Sequence, residues 1–589
     1  MKKILHTTLS TLLAFSLCGC INGSSQTTTS SSLEKFERVC ADSPNKEFSE
    51  YLDEVVKEGA ESDFTTVHQL FENPEDFGID MKNVEVNLGY FDEDETEEDE
   101  ILDQLEDFDY ESLDKTQQNI YDQLLYERDL ADELNKDKYK YMENIWSSTN
   151  GQHQILVTFF SEYLLRNEQD IKDLITLIKD VPRYVDEALE YTKKQADANL
   201  LYIDLDAVLE DTQNVIDTKE DSAIANELFT EVDQLQLDNE KAEEYKKQIQ
   251  EAFDSCFIPS YEKIVKELSA LESKNHDLCG LANIENGEDY YELLVKNATG
   301  SSEDIETIRS NIQDAANTAL ISLQKLMSSN PSVFDDMSNV STGFTSPEEI
   351  MIFLSEHYSK NYKETKEMNY EINPLSDEQS AEGIVAYFVT PAIDNTSKYQ
   401  IRYNKRDYGD DMSSLDTYTT FAHEGIPGHM YQAQYDSENT KYNITYMFDC
   451  LGMSEGYATY VQLQSLDYLD SIDSDVLKAY KYNEILTDLY ISLMDISIHY
   501  DGLSYDEFVD EYSDLFGEDL LDLYNQLADN PTTFLSYYYG YLQIIMLKNE
   551  VKDSMGLDFN IKEFNTVLLD NGRVNFDIIK KNMSEYVYN

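Results

Sequence analysis

A mainly α-helical fold is predicted, on three observations: helix breakers are scarce, apolar residues recur with helical period over long stretches, and capped starts precede several of those stretches. Glycine and proline number only 21 and 10 among 589 residues, too few to punctuate a chain of many short strands. Amphipathic period marks helices over Tyr110 to Tyr141, His153 to Ile178, Val181 to Leu201, Asn239 to Phe253 and Tyr261 to Leu271. Ser301-Ser302-Glu303-Asp304 and Thr345-Ser346-Pro347-Glu348 read as helix starts, because a hydroxyl precedes an acidic first turn; in the second, proline takes the first helical position. The pattern changes near residue 383. Gly383 to Val389 and Tyr399 to Tyr403 are short, rich in β-branched and aromatic residues, and separated by the turn-like Pro391 to Asn395, so they predict strands of a small sheet. Helical pattern resumes from Ser413, and there is neither an internal repeat nor a run of heptads.

The N-terminus reads as an export signal. Lys2 and Lys3 precede a short, mostly apolar run from Ile4 to Leu17, too brief to span a bilayer as a permanent helix. It ends in Leu17-Cys18-Gly19-Cys20, which resembles the bacterial lipobox and makes Cys20 the expected lipidation site; a Ser/Thr-rich tether follows at Ser24 to Ser32. The expected organisation is a signal peptide over 1–19, a lipidated tether over 20–45, an N-terminal helical region over 46–340 and a metal-bearing catalytic region over 341–589. A lipid anchor of this kind places the protein at the cell membrane, facing the extracytoplasmic side. The net charge of −74, from 118 acidic and 44 basic residues, argues against nucleic acid as a partner, since phosphate would be repelled. Asp92 to Glu100, eight acids in nine residues, reads as a solvated loop because no glycine-bearing calcium-loop spacing accompanies it. Beyond the signal, Cys40, Cys256, Cys279 and Cys450 are scattered; Cys256 and Cys279 are closest in sequence, and no pairing is singled out.

Of only eight histidines, two fall within His423-Glu424-Gly425-Ile426-Pro427-Gly428-His429. Two imidazoles and a carboxylate converging on one point, with a fourth position open to water, make a catalytic zinc site. In the usual H-E-x-x-H arrangement the histidines are four apart and share a helical face. Here they are six apart, which turns the second about 240° from the first on a regular helix. Pro427 clashes with the carbonyl of His423 and has no N–H to donate, while Gly428 permits backbone paths closed to other residues. The pair therefore predicts a broken or bulged helix where two extra residues must be absorbed. Ser413-Ser414-Leu415-Asp416 caps its start. A third ligand is expected from a second helix, and Glu455 in Gly452-Met453-Ser454-Glu455-Gly456-Tyr457-Ala458 is the acid in otherwise largely uncharged surroundings. Zinc is favoured over iron by this donor set.

The motifs HEGIPGHMYQ and SEGYATY, followed by Asp495-Ile496-Ser497-Ile498-His499 and Tyr537-Tyr538-Tyr539-Gly540, resemble the bacterial family called domain of unknown function 885. Its members include many lipoproteins, and it is similar in outline to the zinc peptidase clan of thimet oligopeptidase and angiotensin-converting enzyme. The motif match spans roughly residues 380 to 545. This chain has Asp-Ile-Ser-Ile-His where the family usually carries glycine in the middle. The resemblance implies a large zinc-peptidase-like helical fold with a deep cleft, His499 donating to a substrate carbonyl, and Tyr537 and Tyr541 as phenol donors. Asp495, one turn before His499, would orient that ring. As a lone helical histidine, His499 equally fits a satisfied core position.

The expected activity is a zinc-dependent hydrolase, a peptidase acting outside the cytoplasm, with Glu424 as the base that activates water. Two other readings stay open: a non-catalytic peptide-binding lipoprotein, and a metal-dependent hydrolase of a non-peptide amide. The small sheet suits an extended peptide that binds by adding a strand.

Overall fold

The computed structural model describes residues 33–91, 100–219, 222–376, 385–395, 398–405, 412–448, 450–517 and 519–588. The signal segment, Cys20, the Ser/Thr-rich tether, nearly all of the acidic run and Gly383 lie outside them. The fold is mainly helical, with 68% helix and 3% strand, so the sheet is an insert in a helical body. No helix among the described residues is long and apolar enough to cross a membrane.

In the first half, capping decides the helix boundaries. Lys115–Leu134 starts from a capping box between Asp114 and Gln117, and short 3₁₀ turns at Tyr110–Ser112 and Asp137–Tyr139 occupy the ends of the longer helix expected there. The break expected near residue 180 falls earlier instead. Gln152–Ser161 ends, Asn167 accepts from the Gln169 and Asp170 amides, and Glu168–Asp197 then runs through Pro182 without interruption. An interior proline costs about 3 kcal/mol, but the buried stripe Ile171, Leu174, Ile178, Val181, Val185 and Leu189 stays in phase across it. Burying that many branched side chains, at roughly 1.5–3 kcal/mol each, outweighs the lost bond. Asn239–Ala252 and Ile258–Ser269 are joined by a π turn at Phe253–Phe257, just before Pro259.

The helices that build the site are α1 (Gly287–Thr299), α2 (Ile305–Ser329), α3 (Leu415–Glu424), α4 (His429–Asn439), α5 (Leu451–Ser465), α6 (Ser474–His499) and α7 (Thr533–Met555). The cap of α2 is Asp304, which accepts the Thr307 amide, and not Ser301 or Ser302; Ser301 is buried and accepts the Glu303 amide. Proline opens Pro347–His357 as expected, behind the Ser346 cap. Three strands, β1 (Tyr370–Pro374), β2 (Ala386–Val389) and β3 (Tyr399–Tyr403), pair in the order β1-β3-β2. β1 is parallel to β3 and β2 is antiparallel to it, with Phe388 opposite Ile401. β1 was not foreseen, since Asn373 and Pro374 are poor strand formers; one neighbour suffices to hold an edge strand.

Glycines set the tightest packing. A Cβ on Gly456 of α5 would lie 2.3 Å from the backbone of Gly540 on α7, and one on Gly540 would lie 2.2 Å from the Gly452 carbonyl oxygen. Gly452 meets the Thr299 carbonyl of α1 just as closely, at 2.2 Å. α5, α7 and α1 therefore touch backbone to backbone, while α2 lies along α6 and α6 against α7. Buried residues from both halves, among them Phe48, Ile178, Tyr457 and Ile579, share one apolar core. The first described residues dock on the last helix, Phe576–Tyr588: the Phe36 amide donates to Ser584, the Tyr588 phenol donates to the Leu33 carbonyl, and Arg38 pairs with Glu585 at 2.5 Å.

Gly540→Ala forces a methyl into the α5 backbone, and we expect a loss of about 1–3 kcal/mol in urea unfolding. An unchanged midpoint and slope would contradict the packing described.

Candidate metal centre

α3 starts where Ser414 accepts the Thr417 amide, with Asp416 in its first turn, and it ends at Glu424. His423 and Glu424 are thus its last two residues, and His429 is the first of α4. The four residues between them reverse onto the end of α3. A Cβ on Gly428 would lie 1.7 Å from the carbonyl oxygen of His423, so only glycine can take this path. The φ of Gly428 is −82°; close approach, not a left-handed conformation, is what requires it. The Ile426–Pro427 peptide is cis. Two further bonds hold the loop: the Tyr431 amide donates to the Gly425 carbonyl at 3.1 Å, and the Tyr457 phenol of α5 donates to the Pro427 carbonyl at 2.9 Å. The predicted kink is therefore a complete break between two helices, and the imidazoles meet with centroids 4.9 Å apart at 79°.

Glu455, on the second turn of α5, completes the group. Its Oε2 lies 3.4 Å from His423 Nε2 and 3.3 Å from His429 Nε2. That oxygen is buried and has no hydrogen-bond partner. Ligands about 2.0–2.1 Å from a tetrahedral zinc sit roughly 3.3–3.4 Å from one another, so both the donor types and their spacing fit such an ion. The ring tautomer also fits. Gln462 Oε1 lies 3.1 Å from His423 Nδ1 and can only accept, which puts the proton on Nδ1 and leaves the Nε2 lone pair toward the centre. Among the described residues, His423, His429 and Glu455 form the one cluster of this kind.

The electrostatics follow from burial. Burial raises the Glu455 carboxyl, but His429 and His423 beside it prevail and hold it well below the usual carboxylate range. Glu424 Oε1 is 4.0 Å from His423 Nε2. Burial lifts its carboxyl to about 7; His423 opposes this, Glu455 adds to it, and a hydrogen bond from the Phe388 amide opposes it. That amide belongs to β2. The Asn404 amide donates to the Val385 carbonyl, so Val385, Tyr387 and Val389 turn toward β3 while Ala386 and Phe388 turn outward, toward α3.

Tyr537 of α7 joins the centre. Its ring lies parallel to that of His423 at 6.0 Å, and the Glu455 carboxylate, with burial, pushes its phenol well above the usual range. The remaining expectations are corrected. Tyr541 is buried, and its polar neighbours are Asp488 and Tyr482 of α6, not Glu455. His499 is fully buried, with Nδ1 accepting the Leu281 amide at 3.3 Å and Nε2 donating to the Leu527 carbonyl at 2.9 Å. Both nitrogens are used by backbone, so it is a core histidine. Asp495 does not bond to it; instead it accepts the Tyr291 phenol at 2.5 Å and the Thr532 amide at 3.0 Å, and Tyr291 in turn stacks on His499. Thr532 has φ +67°, a strained value for this residue, and it immediately precedes α7. Asp495, Tyr291 and His499 thus hold the start of the helix that carries Tyr537.

Two contributors escaped the sequence reading. Gln462 had a signal, since it lies seven residues beyond Glu455 and hence on the same face of α5. The Phe388 amide had none, because a backbone donor carries no residue signature.

Fold and site together define a mainly helical protein with a two-histidine, one-glutamate centre at a helix break. The chain belongs to the family described as bacterial protein of unknown function (DUF885), whose model matches residues 76–583, well beyond the motif region. No match is found among curated proteins. A solved structure of a candidate lipoprotein from Colwellia psychrerythraea is 16% identical, with a TM-score of 0.79 over 92% of this chain and 99% of that one. A candidate lipoprotein of unknown function from Shewanella oneidensis is 14% identical, with a TM-score of 0.57 over 82% of this chain and 90% of that one. At these identities the likeness is one of fold.

Gln462→Leu should weaken zinc binding by about 10–100-fold in chelator competition without unfolding the protein; unchanged affinity would remove Gln462 from the site. For His499, burial lowers the imidazole to about 4, against an ordinary 6.5. The folded state therefore resists protonation, so this contribution is whole above about 6.5 and is lost as pH falls toward 4. Asp495, which burial raises to about 7, acts in the opposite sense over an overlapping range, so the variant must be compared with wild type at each pH. The destabilisation caused by His499→Leu at pH 7.5 should shrink by about 2–3 kcal/mol at pH 4.5. Zinc affinity at pH 7.5 should stay within about twofold.

Proposed function

We propose that the protein is a zinc-dependent hydrolase, and that peptides are its substrates. The observation that carries this reading is the buried, partnerless Oε2 of Glu455, 3.3 and 3.4 Å from two imidazole nitrogens. A carboxylate oxygen left without a donor costs several kcal/mol, and a cation shared with both rings removes that cost.

His423, His429 and Glu455 hold the ion in this reading. When bound, zinc supplies Lewis acidity that draws the pKa of water from nearly 16 toward about 7. Glu424, beside the ligand His423, takes the proton from the attacking water. The same carboxyl can then return that proton to a leaving amine. Tyr537 donates its phenol hydrogen to the developing oxyanion, and loss of such a donor costs about a hundredfold or more in rate. The outward edge of β2 suits an extended peptide laid alongside the centre. The likeness to the zinc peptidase clan rests on the motifs, and the peptide assignment rests on that likeness. The Cys20 motif, together with the description of the structural neighbours as candidate lipoproteins, supports a lipid-anchored, extracytoplasmic location.

Purified protein should contain one zinc, and His423→Ala should lose it. Glu424→Gln should keep the zinc and the fold while hydrolysis of a mixed peptide library, read by mass spectrometry, falls at least a hundredfold. Tyr537→Phe should lower kcat by a similar factor with KM nearly unchanged. A zinc-loaded protein that cleaves no library member would end the peptidase reading.

A further inference from the structure

Beyond the metal centre, α6 and α7 bring together two lysines, Lys481 and Lys548. The Lys548 nitrogen lies 4.7 Å from the centroid of the Tyr460 ring, and Lys481 bears on it by charge repulsion. Among the described residues neither ammonium group has an ion pair or a hydrogen bond, although acids outnumber bases by 118 to 44 in this chain and counter-charge is not scarce. Both side chains stay partly exposed, and neither nitrogen is closed off from solvent. Burial nevertheless lowers both groups, Lys548 to about 8. Lys552 adds a third positive charge; Asp467, exposed just beyond α5, opposes them from outside ion-pairing distance. The balance is positive, and two partly dehydrated ammonium groups held together without a counterion carry a cost that a bound anion removes.

The position of the pair narrows the anion. Lys548 lies eleven residues after Tyr537 on α7, which returns it to within about 20° of the same face, three turns and about 16 Å along the helix. On α6, Lys481 lies seven residues before Asp488, on one face with it, and Asp488 acts on Tyr538 and Tyr541 beside the metal centre. A peptide carries one anion at a fixed place, its terminal carboxylate. An extended chain covers about 3.3–3.6 Å per residue and a lysine side chain reaches back toward the start of its helix, so the pair lies about three to five residues from a bond held at the metal. We propose that Lys481 and Lys548 bind a carboxylate of the substrate, so that peptides are cut at that distance on the N-terminal side of it. This rests on the hydrolase reading above. A C-terminus and an acidic side chain at its position share that chemistry, and the test separates them.

The mixed peptide library is made in three forms: free acids, C-terminal amides, and amides whose last residue is glutamate. Retention on the intact Glu424→Gln protein, read by mass spectrometry, reports binding, and wild type reports cleavage. The free acids should bind at least about tenfold more tightly than the amides, and their cuts should cluster about three to five residues from the C-terminus. Recovery by the terminal glutamate would assign the subsite to either carboxylate, and no recovery to the chain terminus alone. Lys481→Met and Lys548→Met should each erase the preference and raise KM for the free acids about tenfold, with kcat within about twofold. Each removes an uncompensated charge, and methionine keeps contact with the Tyr460 ring, so neither variant should melt below wild type. Equal binding of acids and amides, cuts placed without regard to the C-terminus, or the preference surviving in both variants would each overturn the proposal. Peptides bound with this preference but never cut would keep the subsite and end the peptidase reading; cleavage without the preference would do the reverse.

Discussion

The site depends on one close contact, that of Gly428 with the carbonyl oxygen of His423. Six residues of regular helix would point the two imidazoles away from each other. By letting the chain double back against its own last turn, with no side chain in the way, the glycine brings rings 4.9 Å apart that a straight helix would separate. Proline before it brings no amide of its own to be satisfied in the reversal. The Tyr457 phenol then ties the loop to α5, the helix that brings the carboxylate.

A second tier of contacts fixes that carboxylate and the phenol above it. Gly452 and Gly456 let α5 press against α1 and α7, which sets Glu455 and Tyr537 at a separation that side chains could not give. The start of α7 is held in turn by Asp495 and Tyr291, with His499 beneath them. These polar groups touch none of the triad, yet they pin a strained threonine five residues before Tyr537. Positioning by buried polar groups on rigid helices is what keeps a centre of this kind in register.

Much of this was legible in the sequence, unevenly. The helical class followed from period and composition, and Ser414, Ser346 and the Pro427-Gly428 break followed from local stereochemistry, which acts within a few residues. That His423, His429 and Glu455 come together was readable because the chain has few histidines and few residue types carry metal-ligand chemistry. Failures came where tertiary contacts decide. The sequence divides the helices between Ile178 and Val181, but a buried stripe in phase on both sides carries one helix through that point and through Pro182. His499 and Asp495 sit one turn apart and read as a pair; their partners come from residues 281, 291, 527 and 532, which no local pattern reveals. Tyr541 shares a helix with Tyr537, but packing against α6 gives it different company.

The docking of Leu33 to Arg38 on the final helix bears on how such a chain reaches its native state. Arg38 and Glu585 are 547 positions apart, and contacts so distant close a loop that contains nearly everything else. The segment from Leu33 to Arg38 therefore gains these partners only once Phe576–Tyr588 is in place. Loss of Phe576–Tyr588 would take away the partners of Leu33, Phe36 and Arg38 together, so the seating of this short segment reports whether the far side of the fold has formed.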